Sequence, residues 1–408
     1  MKKLISSALL CCALVLSIAC NKNAFIPAYN PTDSLDQQLA AIHKNGQLPG
    51  FAVAIVQANK ILFEQAFGYA DIANQTPYTN TTQQNIASLS KTFIGIALMK
   101  AIEQRKLSLD TPLNDILPFS IQNPHHPNVP ITIRHLATHT SSINDGGFEY
   151  RSVFLNESFD LNKKDIGKEN YQFFKEWEKN ERSPLADFLP AALSSAGSQY
   201  NKKIFLKVAP GSQYQYSNLG ASLLAYAISL VVNQPFEKYV SEQILTPLSM
   251  HQTQWNFEAT NEAEQATTYF QNQLEVPAYQ SNLYPSGGLQ SSLSDLSLYL
   301  MELLKNHDGS DTLLPATAFQ TMIEPQLSPN QSPPSDTKNQ GLMWELNGQQ
   351  AGHNGGNYGV TLFMSFDKKK GYGRIFMTNI SSYKDQQLIP QMVEIWKLLG
   401  KEGDRLSK

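Results

Sequence analysis

Cysteine is nearly missing from the chain, and what there is sits at one end: Cys11, Cys12 and Cys20 are the three in 408 residues. Beyond residue 20 no pair exists to bridge, so the body holds no internal disulfide and depends on packing. Charge is scarce too. Asp, Glu, Lys and Arg make up 16% of the residues, against a usual ~25%. The 35 acids and 32 bases leave a net charge of −3, with no long block of one sign. That excludes a disordered polyelectrolyte, leaves nothing that suggests a nucleic-acid surface, and favours small neutral or polar substrates. After the N-terminus there is no apolar run of membrane-spanning length. The stretch 219–232 is fourteen residues long and includes Tyr226 and Ser229, so it reads as a buried helix.

Several catalytic signatures are missing as well. There is no Gly-x-Ser-x-Gly elbow, no Walker phosphate loop and no glycine-rich dinucleotide fingerprint. His135 and His139 lie four apart in a predicted helix, a zinc-compatible spacing. Yet the segment lacks a metalloprotease's adjacent glutamate, and no third ligand is evident. Polar packing of the two imidazoles is the reading preferred, and no metal or cofactor is expected.

What is present begins with Met1-Lys2-Lys3 and an uncharged stretch, 4–19, which together read as a secretory signal, residues 1–19. Its removal takes two lysines and leaves 30 bases against 35 acids, a net charge of −5. Leu16-Ser17-Ile18-Ala19-Cys20 resembles a bacterial lipobox, departing at Ser17 where leucine is usual. Ser17-Ile18-Ala19 also fits ordinary small-x-small cleavage. The expectation is an exported protein of the cell envelope, periplasmic or on the surface, anchored by lipid on Cys20 through a polar tether, 20–33.

Hydrophobic periodicity places a helix over 34–43, then strands over 50–56 and 60–69 with a turn at Gln57-Ala58-Asn59. Three more strands are read at 341–346, 360–366 and 373–379, the last two joined by a charged hairpin loop, and an amphipathic helix closes the chain over 389–399. Nearly everything between reads as helix or loop. The fold expected is mixed α/β: a five-stranded antiparallel sheet flanked by helices, built from both ends (about 34–87 and 335–400), with an inserted all-helical lobe at about 105–330. One stretch stands apart. Residues 148–182 hold seven bases and eight acids in 35 residues. It reads as a loop with a short helix that lays Phe173, Phe174 and Trp177 on the body, a solvated decoration in preference to a lid.

A Ser-x-x-Lys pair on a helix brings an amine beside a serine oxygen, one route to a reactive nucleophile. Four copies occur, starting at Ser88, Ser335, Ser365 and Ser381. Only Ser88 opens a good helix, where unpaired N–H groups favour developing negative charge. Acyl transfer also needs a second proton-handling group. Downstream of Ser88 one Tyr-x-Asn occurs, Tyr216-Ser217-Asn218, and a close ammonium such as Lys91 would stabilise the phenolate of Tyr216. A strand carrying a basic or polar residue and then x-Gly completes the set. His353-Asn354-Gly355 is the choice over the copies starting at His307, Lys369 and Lys401, which read as a helix-ending turn, a hairpin loop and a C-terminal tail.

In this order the three elements resemble the penicillin-recognising serine hydrolases: class C β-lactamases, D-alanyl-D-alanine carboxypeptidases, D-aminopeptidases and related esterases. Gly68-Tyr69-Ala70-Asp71, the stretch 131–141, Pro210-Gly211, Ser286-Gly287-Gly288-Leu289 and Gly352-His353-Asn354-Gly355-Gly356 extend the likeness over about 35–395. The resemblance implies a β-lactamase/transpeptidase-like fold with Ser88 as nucleophile, Lys91 as its partner and Tyr216 as base and then acid. It implies that Asn218 positions the substrate, that His353 replaces the family's third-motif cation, and that the N–H groups of Ser88 and Gly356 form the oxyanion hole. Ser142 departs from the pattern, which more often has glycine there. A neutral imidazole at His353 weakens carboxylate recognition. The expected activity is therefore an acyl-enzyme hydrolase of small amides or esters, a D-amino-acid peptidase, carboxypeptidase or esterase. The alternatives are a class C-like β-lactamase or a non-hydrolysing penicillin- or peptidoglycan-binding protein. A small-molecule or peptide substrate, no nucleic acid and a monomeric state complete the expectation.

Overall fold

The computed structural model describes residues 30, 32–146, 148–156, 167–255, 264–270, 273–331, 333, 337–382 and 387–408. The signal, Cys20 and the tether to residue 29 lie outside the described residues, as does Ser335. In chain order the strands are β1 (Gly50–Gln57), β2 (Lys60–Asp71), β3 (Thr76–Pro77), β4 (Gln84–Asn85), β5 (Val153–Leu155), β6 (Gln254–Trp255) and β7 (Tyr279–Ser281). They continue with β8 (Leu289–Ser291), β9 (Asn339–Gln340), β10 (Glu345–Asn347), β11 (Gln350–Asn357), β12 (Val360–Asp367) and β13 (Tyr372–Thr378).

The sheet drawn from both ends of the chain is found, but it is larger than expected. It has eight strands in the order β3-β2-β1-β13-β12-β11-β10-β9, not five. Part of the difference is a strand misplaced at 341–346. Met343 adopts a left-handed φ of 64° and donates its N–H to the Ala137 carbonyl at 2.8 Å. The apolar run Leu342-Met343-Trp344 is therefore a buried crossing, and the pairing segments are the polar β9 and β10 on either side of it. β11, the strand that carries the His353-Asn354-Gly355 motif, is not among the five strands that hydrophobic periodicity places, because glycine is depleted in strands. The middle of the chain is likewise not all helix and loop, since β4-β8-β6 and β5-β7 form two small sheets.

β1 is apolar throughout because both of its faces are covered. Phe51, Val53 and Ile55 pack with Leu39, Ile42, Met392 and Ile395 of the two terminal helices, Leu35–Asn45 and Leu388–Leu406. Ala52, Ala54 and Val56 face the main core, which includes Phe93, Ile96, Leu296 and Leu300. Each of the larger of these side chains contributes roughly 1.5–3 kcal/mol on burial. The first helix starts where a capping box predicts it, with Ser34 and Gln37 satisfying each other's backbone N–H groups. The last helix runs through Lys401-Glu402-Gly403, which was read as a tail. Gly403 packs under the Tyr372 ring, and the Tyr372 hydroxyl donates to Asp404 at 2.8 Å.

Among the described residues no single helix is long and apolar enough to cross a membrane. The Asn218–Val232 helix is largely buried in the protein, as its length and its Tyr226 and Ser229 imply.

Candidate active site

Ser88 lies in a single 3₁₀ turn, Ala87–Leu89, that leads into the Ser90–Glu103 helix. The residue before it, Ala87, has φ +46°, a conformation unfavourable for a side chain with a Cβ. Asn85 holds this bend: its side chain accepts the Ala87 N–H at 2.9 Å and donates to the Gly287 carbonyl at 2.9 Å. Strain of this kind tends to sit where a side chain is being aimed. Here it turns Ser88, half-buried, toward the fully buried Lys91.

The Lys91 ammonium donates to Ser88 Oγ at 3.1 Å, to Asn218 Oδ1 at 2.7 Å and to the Ser286 carbonyl at 2.6 Å. Three acceptors match the three protons of a charged amine. Burying this cation without partners would cost several kcal/mol, so each acceptor is part of the reason the helix can carry a lysine on an otherwise apolar surface. From the other side the Tyr216 hydroxyl donates to Ser88 Oγ at 2.8 Å, and Lys91 Nζ lies 4.9 Å from the Tyr216 ring centroid. Residues 128 positions apart thus converge on one oxygen.

Tyr216 and Asn218 are placed by the start of the Asn218–Val232 helix, whose cap is Ser217. Below it lies a residue the sequence reading missed. The buried Asp145 carboxylate accepts the Ser217 hydroxyl at 2.6 Å, the Asn218 N–H at 2.7 Å and the Leu219 N–H at 3.0 Å. Burial pushes its acidity down, and those three donors oppose the shift. His139 packs its ring 4.6 Å from that of Tyr216 and accepts the Ser217 N–H on Nδ1 at 3.3 Å. Its Nε2 therefore carries the proton. Burial, with the charge of Lys91 adding to it, holds this imidazole neutral, its pKa well below the usual histidine range.

The two histidines singled out for their spacing are not on one helix. The helix ends at Ala137, and His139 has a left-handed φ of 55°. His135 instead caps the helix start, accepting the Thr132 N–H at 3.2 Å. Ser142, where glycine is commoner in the resembling family, also has a left-handed φ, 65°. That geometry explains the glycine preference.

β11 brings the third element. Gly355 lies so close to the Ser88 turn that a Cβ there would stand 2.6 Å from the Ile86 carbonyl oxygen. Only glycine permits the approach. His353 is fully buried with its ring 6.3 Å from that of Tyr216. Its Nδ1 lies 2.6 Å from the Asn354 carbonyl. A carbonyl only accepts, so Nδ1 bears the proton and Nε2 presents a lone pair, with no partner among the described residues. Burial, then the charge of Lys91, pushes the His353 pKa down to about 3. The imidazole at this position is therefore held in its neutral form near neutral pH.

Beside His353 stands Glu345, also unforeseen. The chain leaves the edge of β11 at Glu345, and its carboxyl takes over as partner to the Asn354 N–H. N–H groups alternate along a strand, so Gly356, two residues on, directs its N–H to the same edge. Burial pushes the Glu345 carboxyl up to about 8, against that N–H and the Lys91 charge. No motif pointed to Asp145 or Glu345; each acts through a backbone N–H.

The charged stretch borders this edge. Its helix, Gly167–Trp177, buries Phe174 and Trp177 fully, with Trp177 4.9 Å from the Tyr358 ring just past β11 and 5.2 Å from Tyr279. β5 of the same stretch pairs with β7, directly before Ser286. The outward face carries exposed ion pairs, Lys175–Glu178 and Lys179–Glu176. Residues 157–166 and the Phe173 side chain lie outside the described residues.

Comparison with known proteins matches residues 35–392 to the family described as Beta-lactamase. Protein flp of Staphylococcus aureus (strain MW2) is 24% identical over 376 residues, 89% of this chain and 66% of its own length. The chain thus spans just under two thirds of that relative. D-alanyl-D-alanine-carboxypeptidase/endopeptidase AmpH of Escherichia coli (strain K12) is 26% identical over 327 residues, 79% of this chain and 74% of AmpH. Among solved structures, the octameric penicillin-binding protein homologue from Pyrococcus abyssi superposes with a TM-score of 0.64 at 21% identity, covering 89% of this chain and 76% of that one. A penicillin binding protein from Bacillus halodurans gives 0.64 at 23% identity, covering 88% and 98%. At these identities the two structures speak for the fold alone.

Proposed function

The chain belongs to the Beta-lactamase family, the penicillin-recognising serine hydrolases, and from that premise we propose that it hydrolyses small amides or esters through an acyl-enzyme on Ser88, as a D-amino-acid peptidase or an esterase. The observation that carries the reading is the convergence of the Lys91 amine, at 3.1 Å, and the Tyr216 hydroxyl, at 2.8 Å, on one half-buried serine oxygen. With Tyr216 as the phenolate in place of the resting hydroxyl, its charge offset by the Lys91 ammonium, Ser88 Oγ passes its proton to the Tyr216 oxygen as it attacks the substrate carbonyl. The N–H groups of Ser88 and Gly356 receive the oxyanion; one such donor is typically worth ~3 kcal/mol in the transition state. As the carbon–leaving-group bond breaks, Tyr216 returns the proton to the leaving group. Water then repeats the sequence and frees the acid. Asn218, held by Lys91 and by the Asp145 carboxylate, orients the acyl side.

The neutral, buried His353 weighs against carboxylate-directed β-lactamase work. The basic start and apolar run ending at Cys20 support export and a lipid anchor; mass spectrometry of the mature N-terminus tests that.

The decisive experiment for the activity is labelling with a fluorophosphonate together with hydrolysis of phenyl acetate and a D-amino-acid peptide. Wild type is expected to take one label on Ser88 and to turn over at least one substrate, and Ser88→Ala to do neither. Full turnover by Ser88→Ala defeats the proposal. A lasting penicillin adduct without turnover would make the protein a trap.

A further inference from the structure

On the open edge of β11 the charge pattern is unusual for a site that receives an acyl substrate. The Asn354 N–H is occupied by the carboxyl of Glu345, a side chain still 16% exposed. Glu345 Oε1 lies 3.9 Å from His353 Nδ1, whose proton is committed to the Asn354 carbonyl. The other ring nitrogen, Nε2, is a buried lone pair without a partner among the described residues. The cation whose charge reaches both groups is Lys91, and it is held by Ser88, Asn218 and Ser286. With the Glu345 carboxyl ionised, what the edge offers here is acceptors.

Its side of the substrate follows from Tyr216. The group that returns a proton to the leaving group has its ring 6.3 Å from His353, so His353 and Glu345 flank the leaving group. The N–H capped by Glu345 is two residues from that of Gly356, a spacing of ~6.7 Å along a strand. A group about one strand repeat from the scissile carbonyl oxygen would therefore meet the Glu345 carboxyl.

We propose that Glu345, backed by His353, forms an acceptor subsite on the leaving-group side of Ser88 that selects leaving groups carrying an ammonium or other hydrogen-bond donor and rejects those carrying a carboxylate. The inference rests on the acyl-enzyme reading for its geometry and narrows it, away from C-terminal amino acids and toward amines and aminoalkyl or hydroxyl-bearing esters. A bound ammonium draws the Glu345 carboxyl into its ionised form. Once Glu345 is ionised, above about 8, a carboxylate in the same place meets a like charge and a lone pair.

The test uses three esters of one acid: phenyl acetate, 3-(aminomethyl)phenyl acetate and 3-(carboxymethyl)phenyl acetate. Wild type is expected to favour the cationic over the anionic ester by about tenfold or more in kcat/KM, a conservative figure for charges in such a site. Glu345→Gln should bring that ratio to within about threefold, the range of an exposed pair, and Glu345→Lys should reverse it. Equal use of the two esters by wild type, or an unchanged ratio in Glu345→Gln, overturns the subsite. If phenyl acetate is not hydrolysed and Ser88 takes no fluorophosphonate, the hydrolase reading fails separately. Calorimetry with 3-(aminomethyl)phenol and 3-hydroxyphenylacetate on Ser88→Ala then decides the subsite without turnover: tighter binding of the amine upholds it, and equal or inverted binding overturns it.

Discussion

The Asp145 carboxylate accepts the Asn218 N–H at 2.7 Å, and the Asn218 side chain in turn accepts from Lys91 at 2.7 Å. A buried acid at a helix start thus holds the residue that accepts from the site's amine. Replacing it leaves the Leu219 and Asn218 N–H groups and the Ser217 hydroxyl without their acceptor. An unsatisfied buried donor costs ~1–3 kcal/mol. Asp145→Ala is expected to lower the unfolding free energy by at least about 2 kcal/mol, read by urea denaturation. Its kcat should fall more than its KM rises, since Asn218 and Lys91 lose their alignment; an unchanged kcat would make Asp145 purely structural.

Gly355 is tested by adding one methyl group. The Cβ of Gly355→Ala would meet the Ile86 carbonyl at 2.6 Å, so β11 or the Ser88 turn has to move. A shift of this size in overpacked structure costs ~1–3 kcal/mol, and it displaces Gly356 from Ser88. Fluorophosphonate labelling of Ser88 should slow at least about tenfold, with the far-ultraviolet circular dichroism preserved. Labelling at the wild-type rate would separate Gly356 from the oxyanion site.

Stability against pH follows from two neighbours shifted in opposite directions. Glu345, ordinarily near 4.5, is pushed up to about 8. Between those values the unfolded chain has lost the proton that the folded state keeps, so stability falls as pH rises through that window and is constant above it. His353, ordinarily near 6.5, is pushed down to about 3, so stability also falls as pH drops from 6.5 toward 3. The melting temperature should peak between about 4.5 and 6.5. Glu345→Gln should flatten the alkaline side, leaving the slope from Asp145 and Asp295, which burial also raises. Identical alkaline slopes in the two proteins, measured by differential scanning fluorimetry, would contradict this.

Trp177 anchors the charged stretch. It is fully buried against Tyr358 and Tyr279, and the Phe174 ring beside it lies 5.7 Å from that of Phe270, tilted by 57°. Trp177→Ala should loosen the Gly167–Trp177 helix at a cost of ~3–5 kcal/mol. Because Tyr358 follows β11, the change should also alter relative kcat/KM across a set of acyl groups, more than it alters phenyl acetate turnover. Unchanged ratios with a lowered melting temperature would mark the stretch as packing alone.

Much of the fold was legible where a segment's pattern is set by its own neighbours. The first helix, the β1–β2 hairpin, the β12–β13 hairpin and the buried helix after Tyr216 all fall within a few residues of expectation. The misreadings share one cause. Leu342-Met343-Trp344 is as apolar as a strand, but its backbone donates to Ala137 and Met322 from other elements. Glycine-rich β11 shows no strand signal and is made a strand by β12 on one flank and β10 on the other. Gly403 reads as a stop, yet the helix continues because Tyr372 packs over it.

The sequence by itself determined which residues are the candidates for the proposed reactive set, because Ser88 and Lys91 are one helical turn apart and Tyr216-Ser217-Asn218 and His353-Asn354-Gly355 keep their order around them. Only the tertiary structure decided what surrounds that set. Asp145, Glu345 and His139 reach it through backbone N–H groups and ring stacking, which any residue's main chain can provide and no spacing records. The charge of a buried group depends on the partners that folding assembles around it. His353 is held neutral for that reason, and not for anything written in its motif.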